Sequence, residues 1–128
     1  MKILVLMFML FCHIVDDYYL QGILASMKQK SWWKENAPEN LYKYDYIIAL
    51  IMHSFSWAFM IYLPITIWCI ILGGTWCPQV IIANMIIHSI IDNEKANKRS
   101  INLIQDQLIH IIQILVTWLG WLAYGGIA

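Results

Sequence analysis

The chain has 128 residues, room for one compact unit, with 61% apolar residues and only 12% charged ones, about half the charged share of a soluble protein. So little charge excludes an ordinary water-soluble domain, and a formal net charge of zero excludes the basic footprint of a nucleic-acid binder. The expected fold class is all-α: an integral membrane bundle of four transmembrane helices in a single domain. The helices are expected at about 3–27, 46–72, 78–94 and 101–124, the third of them short, with charged loops over 28–45 and 95–100.

In chain order, the first apolar run extends from Ile3 to Ala25 and is interrupted by His13, Asp16 and Asp17. Lys2 ahead of it imitates the start of a signal peptide. No small-x-small cleavage site follows and apolar character resumes at Tyr18, so a retained helix is expected. The next loop interleaves Lys28, Lys30, Lys34 and Lys43 with Trp32, Trp33, Tyr42, Tyr44 and Tyr46, a mixture suited to the headgroup layer. The second run, Tyr46 to Leu72, would measure roughly 40 Å as a helix against a hydrocarbon core of about 30 Å, so it must tilt or protrude. The third, Val80 to Ile91, is short even when begun at Pro78, a favoured first helical position. Lys95, Lys98 and Arg99 form the second charged loop. The last run extends from Ile101 to Ala128, where Gly125 and Gly126 are suited to ending a helix. Trp76, Trp118, Trp121 and Tyr124 are expected to anchor the opposite interface. Cys12, Cys69 and Cys77 have no metal-type spacing and read as free thiols, although Cys69 and Cys77 would lie near one membrane face.

Seven of the eight Lys and Arg residues fall in the two charged loops, which a four-helix chain places on one side; the segment between Gly73 and Gln79 carries no charge. The positive-inside rule then puts both loops in the cytoplasm and both termini on the non-cytoplasmic side, in a multi-pass protein of the inner (plasma) membrane.

All four histidines, His13, His53, His88 and His110, lie inside apolar runs, one per expected helix. Three have a carboxylate four residues away: His13 with Asp17, His88 with Asp92, and His110 with Asp106. Residues four apart share one helical face, so two such side chains can reach one ion. On the last helix Asn102, Asp106, His110, Gln113 and Thr117 make a single polar stripe. On the third, Asn84, His88 and Asp92 do the same. His53 shares its face with Ser56 and Trp57. At ~1.5 Å per residue His53 lies about 12 Å in from the charged loop, His110 about 13 Å and His88 about 8 Å. An intramembrane aspartate costs about 2.5–3.5 kcal/mol to insert, several times what one Leu or Ile returns. No Lys or Arg lies within the apolar runs to neutralise it, so histidinium or a metal is the expected partner. Mixed N and O donors suit a divalent transition metal, zinc first and manganese or iron next, as one or two ions. Asp16 or an unliganded histidine would serve as general base, with Asp106 the other catalytic carboxylate.

The segments His13-Ile-Val-Asp-Asp17-Tyr-Tyr-Leu-Gln21, His88-Ser-Ile-Ile-Asp92-Asn-Glu-Lys95 and Asp106-Gln-Leu-Ile-His110 resemble the domain of unknown function 3307 family of small bacterial and phage membrane proteins. Order and spacing match over nearly the whole chain, with Tyr18 where the family often has Phe. The resemblance implies a ligand set of His13, Asp17, His53, His88, Asp92, Asp106 and His110. It places Gln21 and Gln107 behind the ligands, a position that Asn84 shares by its face, and Lys95 against a phosphate or lipid headgroup. It implies no activity; scattered His and Asp on transmembrane helices are similar in style to membrane-bound metal-dependent hydrolases.

The leading functional expectation is a metal-dependent hydrolase acting on a lipid or amphiphile at the cytoplasmic interface. A proton or metal-ion transporter or channel built on the same residues is the alternative, and a small phage protein of holin type is the third. Partners are then the lipid bilayer and an amphiphilic substrate, with no nucleic acid. Gly73, Gly74, Gly120, Gly125 and Gly126 permit the close packing of a homo-oligomer without specifying an interface.

Overall fold

In the computed structural model, residues 1–125 are described, and they are all-α with no strand. Helix α1 (Lys2–Val15) continues through a wider, π-type turn at Asp16–Leu20. There the chain departs from the single helix expected to residue 27. Gly22 adopts a left-handed φ of 49°, a conformation that costs glycine nothing and ends the run. The chain resumes in a single turn, α2 (Leu24–Met27). The lysine-rich loop folds into α3 (Lys30–Asn36) and a 3₁₀ turn at Asn40–Tyr42. Helix α4 (Asp45–Leu72) carries Pro64 within an unbroken span. Helix α5 (Gln79–Asn93) ends in a second π-type turn, Glu94–Lys98, closed by Arg99 at a left-handed φ of 56°. Helix α6 (Leu103–Tyr124) starts at a capping box: Asn102 accepts from the Gln105 backbone N–H while the Gln105 side chain accepts from that of Asn102. Gly126 lies outside the described residues.

Three helical runs are long and apolar enough to cross a membrane: Lys2–Leu20, Asn40–Leu72 and Leu103–Tyr124. Helix α5, at 15 residues, rises only about 22 Å. The distribution of side chains is that of a lipid-embedded bundle. Phe11, Phe55, Ile104 and Leu119 are between 54% and 70% exposed, whereas His53, His88, Asp106 and His110 are wholly buried. Exposed apolar surface on this scale is unfavourable in water and costs nothing against acyl chains.

Each helix buries one stripe at steps of three and four: Val5, Leu6, Met9 and His13 on α1; Leu50, His53, Ser54, Trp57, Ile61 and Ile65 on α4; Asn84, His88 and Asp92 on α5. Helix α4 is the centrepiece, packed most extensively against α5 and α1. The dry core of Met9, Ile61, Ile65 and Ile114 fills one half of the bundle, and polar groups fill the other. The two lysine loops meet at the polar end, where Asn97 accepts from the Lys30 backbone N–H at 2.7 Å and donates to the Lys28 carbonyl at 3.0 Å. Lys2 and Gly73–Pro78 lie at the other end, where the Trp118 indole donates to the Lys2 carbonyl. Trp121, expected as an interfacial anchor, is instead buried edge-to-face against Trp68, with ring centroids 5.6 Å apart. The three cysteines are half-buried and unbonded.

Candidate metal centre

The two π-type turns set up the site. The first of them, at Asp16–Leu20, carries the adjacent carboxylates Asp16 and Asp17, both buried. Such turns recur at functional sites.

Imidazole and carboxylate atoms converge from four elements. His53 Nε2 lies 3.2 Å from His88 Nε2, 3.2 Å from Asp92 Oδ2 and 3.5 Å from Asp17 Oδ1; His88 Nε2 to Asp92 Oδ2 is 3.7 Å. On the other face of the Asp92 carboxylate, Oδ1 lies 3.6 Å from His110 Nε2, which is 3.2 Å from Asp106 Oδ1. Two triads have donors close enough together to hold a metal ion: Asp17, His53 and His88, and His88, Asp92 and His110. His88 belongs to both. With ligands about 2.0–2.1 Å from a tetrahedral ion, adjacent donors are about 3.4 Å apart; the pairs named above lie 3.2–3.7 Å apart, and the donors of each triad lie within 4.8 Å of one another.

Close approach does not make every contact a hydrogen bond. His110 Nε2 and Asp106 Oδ1 are 3.2 Å apart, yet neither makes a hydrogen bond. Asp16 Oδ2 and the Nδ1 atoms of His53, His88 and His110 are also buried without hydrogen-bond partners. Buried polar atoms left this way are costly and rare.

His13 stands apart from both triads. Its Nδ1 accepts a hydrogen bond from the Trp57 indole at 2.8 Å, so its Nε2 carries the proton that it donates to Gln107 Oε1 at 3.0 Å. Trp57 also stacks on His88, with centroids 4.1 Å apart. Asp16 lies behind His53, its Oδ2 3.9 Å from Nδ1, while its Oδ1 accepts from Ser56 Oγ at 2.6 Å. Gln107 donates to Asp106 Oδ2 at 3.0 Å. Gln21 bonds the Asp17 carbonyl. Asn84 lies one turn from His88 in a separate network, donating to Thr117 Oγ1 and accepting from Gln113 Nε2 at 2.8 Å.

The expectation that no Lys or Arg reaches these carboxylates fails. Lys28 Nζ bonds Asp92 Oδ2 and Lys95 Nζ bonds Asp106 Oδ2, each at 2.6 Å. Both lysines come from loops: the turn at Gly22 folds Lys28 back over the cluster, and the π-type turn at Glu94–Lys98 brings Lys95 down to α6. Burial alone would lower the Lys95 pKa, but the Asp106 carboxylate outweighs it, so the ammonium is raised above the usual lysine value and stays charged at neutral pH. Four buried carboxylates against two ammonium groups leave two negative charges for histidinium or a divalent ion to balance. Sequence reasoning missed Lys28, which has no spacing signal, and the bridging role of Trp57, for which the shared face with His53 was the one signal.

The model of the family described as a protein of unknown function, DUF3307, matches residues 5–125. The chain belongs to the DUF3307 family. The match runs through all the helices that carry the centre. No curated protein and no solved structure matches this DUF3307 chain, so the chemistry of the centre rests on its own residues.

Proposed function

We propose that this protein is a membrane-embedded, divalent-metal-dependent hydrolase that acts on an amphiphilic substrate at the cytoplasmic face of the inner membrane. The observation that carries the reading is the pair of triads sharing His88, their donors buried, at ligand spacing, and in part without hydrogen bonds. The ion is one, because both triads share His88 as a ligand, and zinc is first among the candidates, since the donors are imidazole and carboxylate. A bound ion would lower the pKa of a coordinated water into the neutral range. Asp106 Oδ1, beside His110, is the carboxylate oxygen that would take the water's proton, and Asp16 lies behind His53, 3.9 Å from its Nδ1.

Two features support an amphiphile. An apolar cleft of about 590 Å³ between α5 and α6 begins at Ile87 and Ile109, beside His88 and His110, and has room for a hydrocarbon chain. The lysine-rich, aromatic end of the bundle suits the headgroup layer. In this reading α5 is the fourth crossing, a short one whose 15 residues rise about 22 Å and around which the bilayer thins. The lysine loops are cytoplasmic and both termini lie outside.

Elemental analysis of detergent-purified protein tests the centre. About one transition-metal ion per chain is expected in the native protein. It should be lost in His88→Ala and Asp92→Asn variants that still insert and elute as folded species, and kept in Asn84→Ala. Native protein without metal would overturn the proposal.

A proton or ion pathway is the second reading. It is favoured by the polar stripe that continues past the cluster through Gln113, Asn84 and Thr117. Flux into liposomes that requires His88 and Gln113, without hydrolysis, would replace the first reading with this one.

A further inference from the structure

A separate polar cavity of about 350 Å³ opens at the loop end of the bundle, with Asp92 in its wall. Lys28, Lys95 and Arg99 line it together with Gln21 and Gln29. The amides are engaged, Gln21 and Gln29 each donating to a backbone carbonyl, so the donors of an anion site here are the three cations around one carboxylate. Two of the cations are held by the cluster itself, Lys28 by Asp92 and Lys95 by Asp106. Arg99, by contrast, is exposed and makes no ion pair among the described residues, although it is held on a left-handed turn at the rim.

The geometry points to this cavity as the site that recognises a phosphoryl group, which makes the substrate of the proposed centre a phosphate ester. The inference rests on the metal reading above and adds the substrate class to it. The physical link is charge. A divalent ion that takes Asp92 releases the ammonium group now bonded to that carboxylate into the cavity. An anion with two or more acceptor oxygens then replaces the carboxylate as its partner. A planar guanidinium at the rim adds a bidentate donor of the kind that phosphates attract. Metal and phosphate therefore bind with positive coupling, each raising the other's affinity by the same factor. Because the same Asp92 is both cavity wall and candidate ligand, a phosphoryl group held here lies beside the ion. In the hydrolysis, the water oxygen bonds to phosphorus, the P–O bond to the alcohol breaks, and the water's proton ends on the departing alcohol oxygen. No oxidant or reductant is involved.

The shared chemistry is the phosphoryl group, carried by a lipid headgroup or by a soluble phosphate. Calorimetric titration in dodecyl maltoside micelles, which contain no phosphate, tests it. One arm uses inorganic phosphate and the other phosphatidic acid in mixed micelles. The protein is taken as purified, with its metal measured, and after stripping by a chelator. One phosphoryl ligand per chain is expected. Binding should be about tenfold weaker in Arg99→Gln, which touches no candidate ligand and should keep its metal, and weaker by a similar factor in Lys95→Met and after stripping. Binding of phosphatidic acid alone assigns the site to a headgroup; binding of both shows that the free anion suffices. Metal-loaded protein that binds neither, or binds equally well in Arg99→Gln and Lys95→Met, overturns the inference and leaves the metal centre standing. Metal-free native protein that binds phosphate with Arg99 dependence overturns the metal reading and keeps the anion site. Metal-free protein without phosphate binding overturns both.

Discussion

Asp92 is the residue on which the most interactions depend. Its two oxygens face different imidazoles, and one of them also carries the Lys28 ammonium group. Removing one partner of a buried ion pair leaves the other charge uncompensated, typically at about 3–5 kcal/mol. Lys28→Met should therefore destabilise metal-stripped protein by about 3 kcal/mol and metal-loaded protein much less, because the ion then neutralises the carboxylate. Unfolding in mixed micelles, with and without chelator, reads the difference; equal losses in both states would mean that the ion does not share Asp92. The inward aim of Asp17, His53, His88, Asp92, Asp106 and His110 was legible in the sequence because spacing by four on a helix is a geometric statement. Lys28 was not legible, since its position depends on a reversal at Gly22 that no periodicity encodes. The aromatic residues were legible only as a class. Trp57, mid-run and on the His53 face, bonds His13 and stacks on His88, while Trp121, expected as an interfacial anchor, is buried.

The elements were legible wherever apolar runs were long. Helices α4 and α6 begin and end within two residues of the expected bounds, 46–72 and 101–124, and the box of Asn102 and Gln105 explains the start of α6. The π-type turns were not, because a wider turn is one residue's departure from the helical pattern and needs the packed partner to justify it. The uncharged loop over 73–78 shows how such ends are tied. Gly74 has φ of 120°, and a Cβ placed there would lie 2.7 Å from the Gly125 carbonyl oxygen; at Gly120, about one turn before the end of α6, a Cβ would meet nothing within 4 Å. Gly74→Ala should thus cost about 1–3 kcal/mol and loosen the end of α6. Gly120→Ala should stabilise by about 1 kcal/mol, the ordinary helix preference for alanine. Unfolding midpoints of the two variants should move in opposite directions. A midpoint unchanged in Gly74→Ala would show that this loop does not hold the helix end.

At the scale of the molecule, the arrangement inverts that of a soluble protein: isoleucines and phenylalanines outside, histidines and aspartates inside. Composition alone announced this, since 12% charge cannot clothe a surface in water. What composition did not announce is that the chain brings counter-ions of its own. Two ammonium groups tethered on loops already offset half of the buried carboxylate charge before any external cation is considered. A nascent chain with four bare carboxylates would meet a steep barrier on partitioning into the bilayer, and these built-in partners lower it. Biogenesis can then proceed in the order insertion first, metallation second. Cells starved of transition metals should accumulate normal amounts of the protein in their membranes, in an unloaded form that matures when the ion returns.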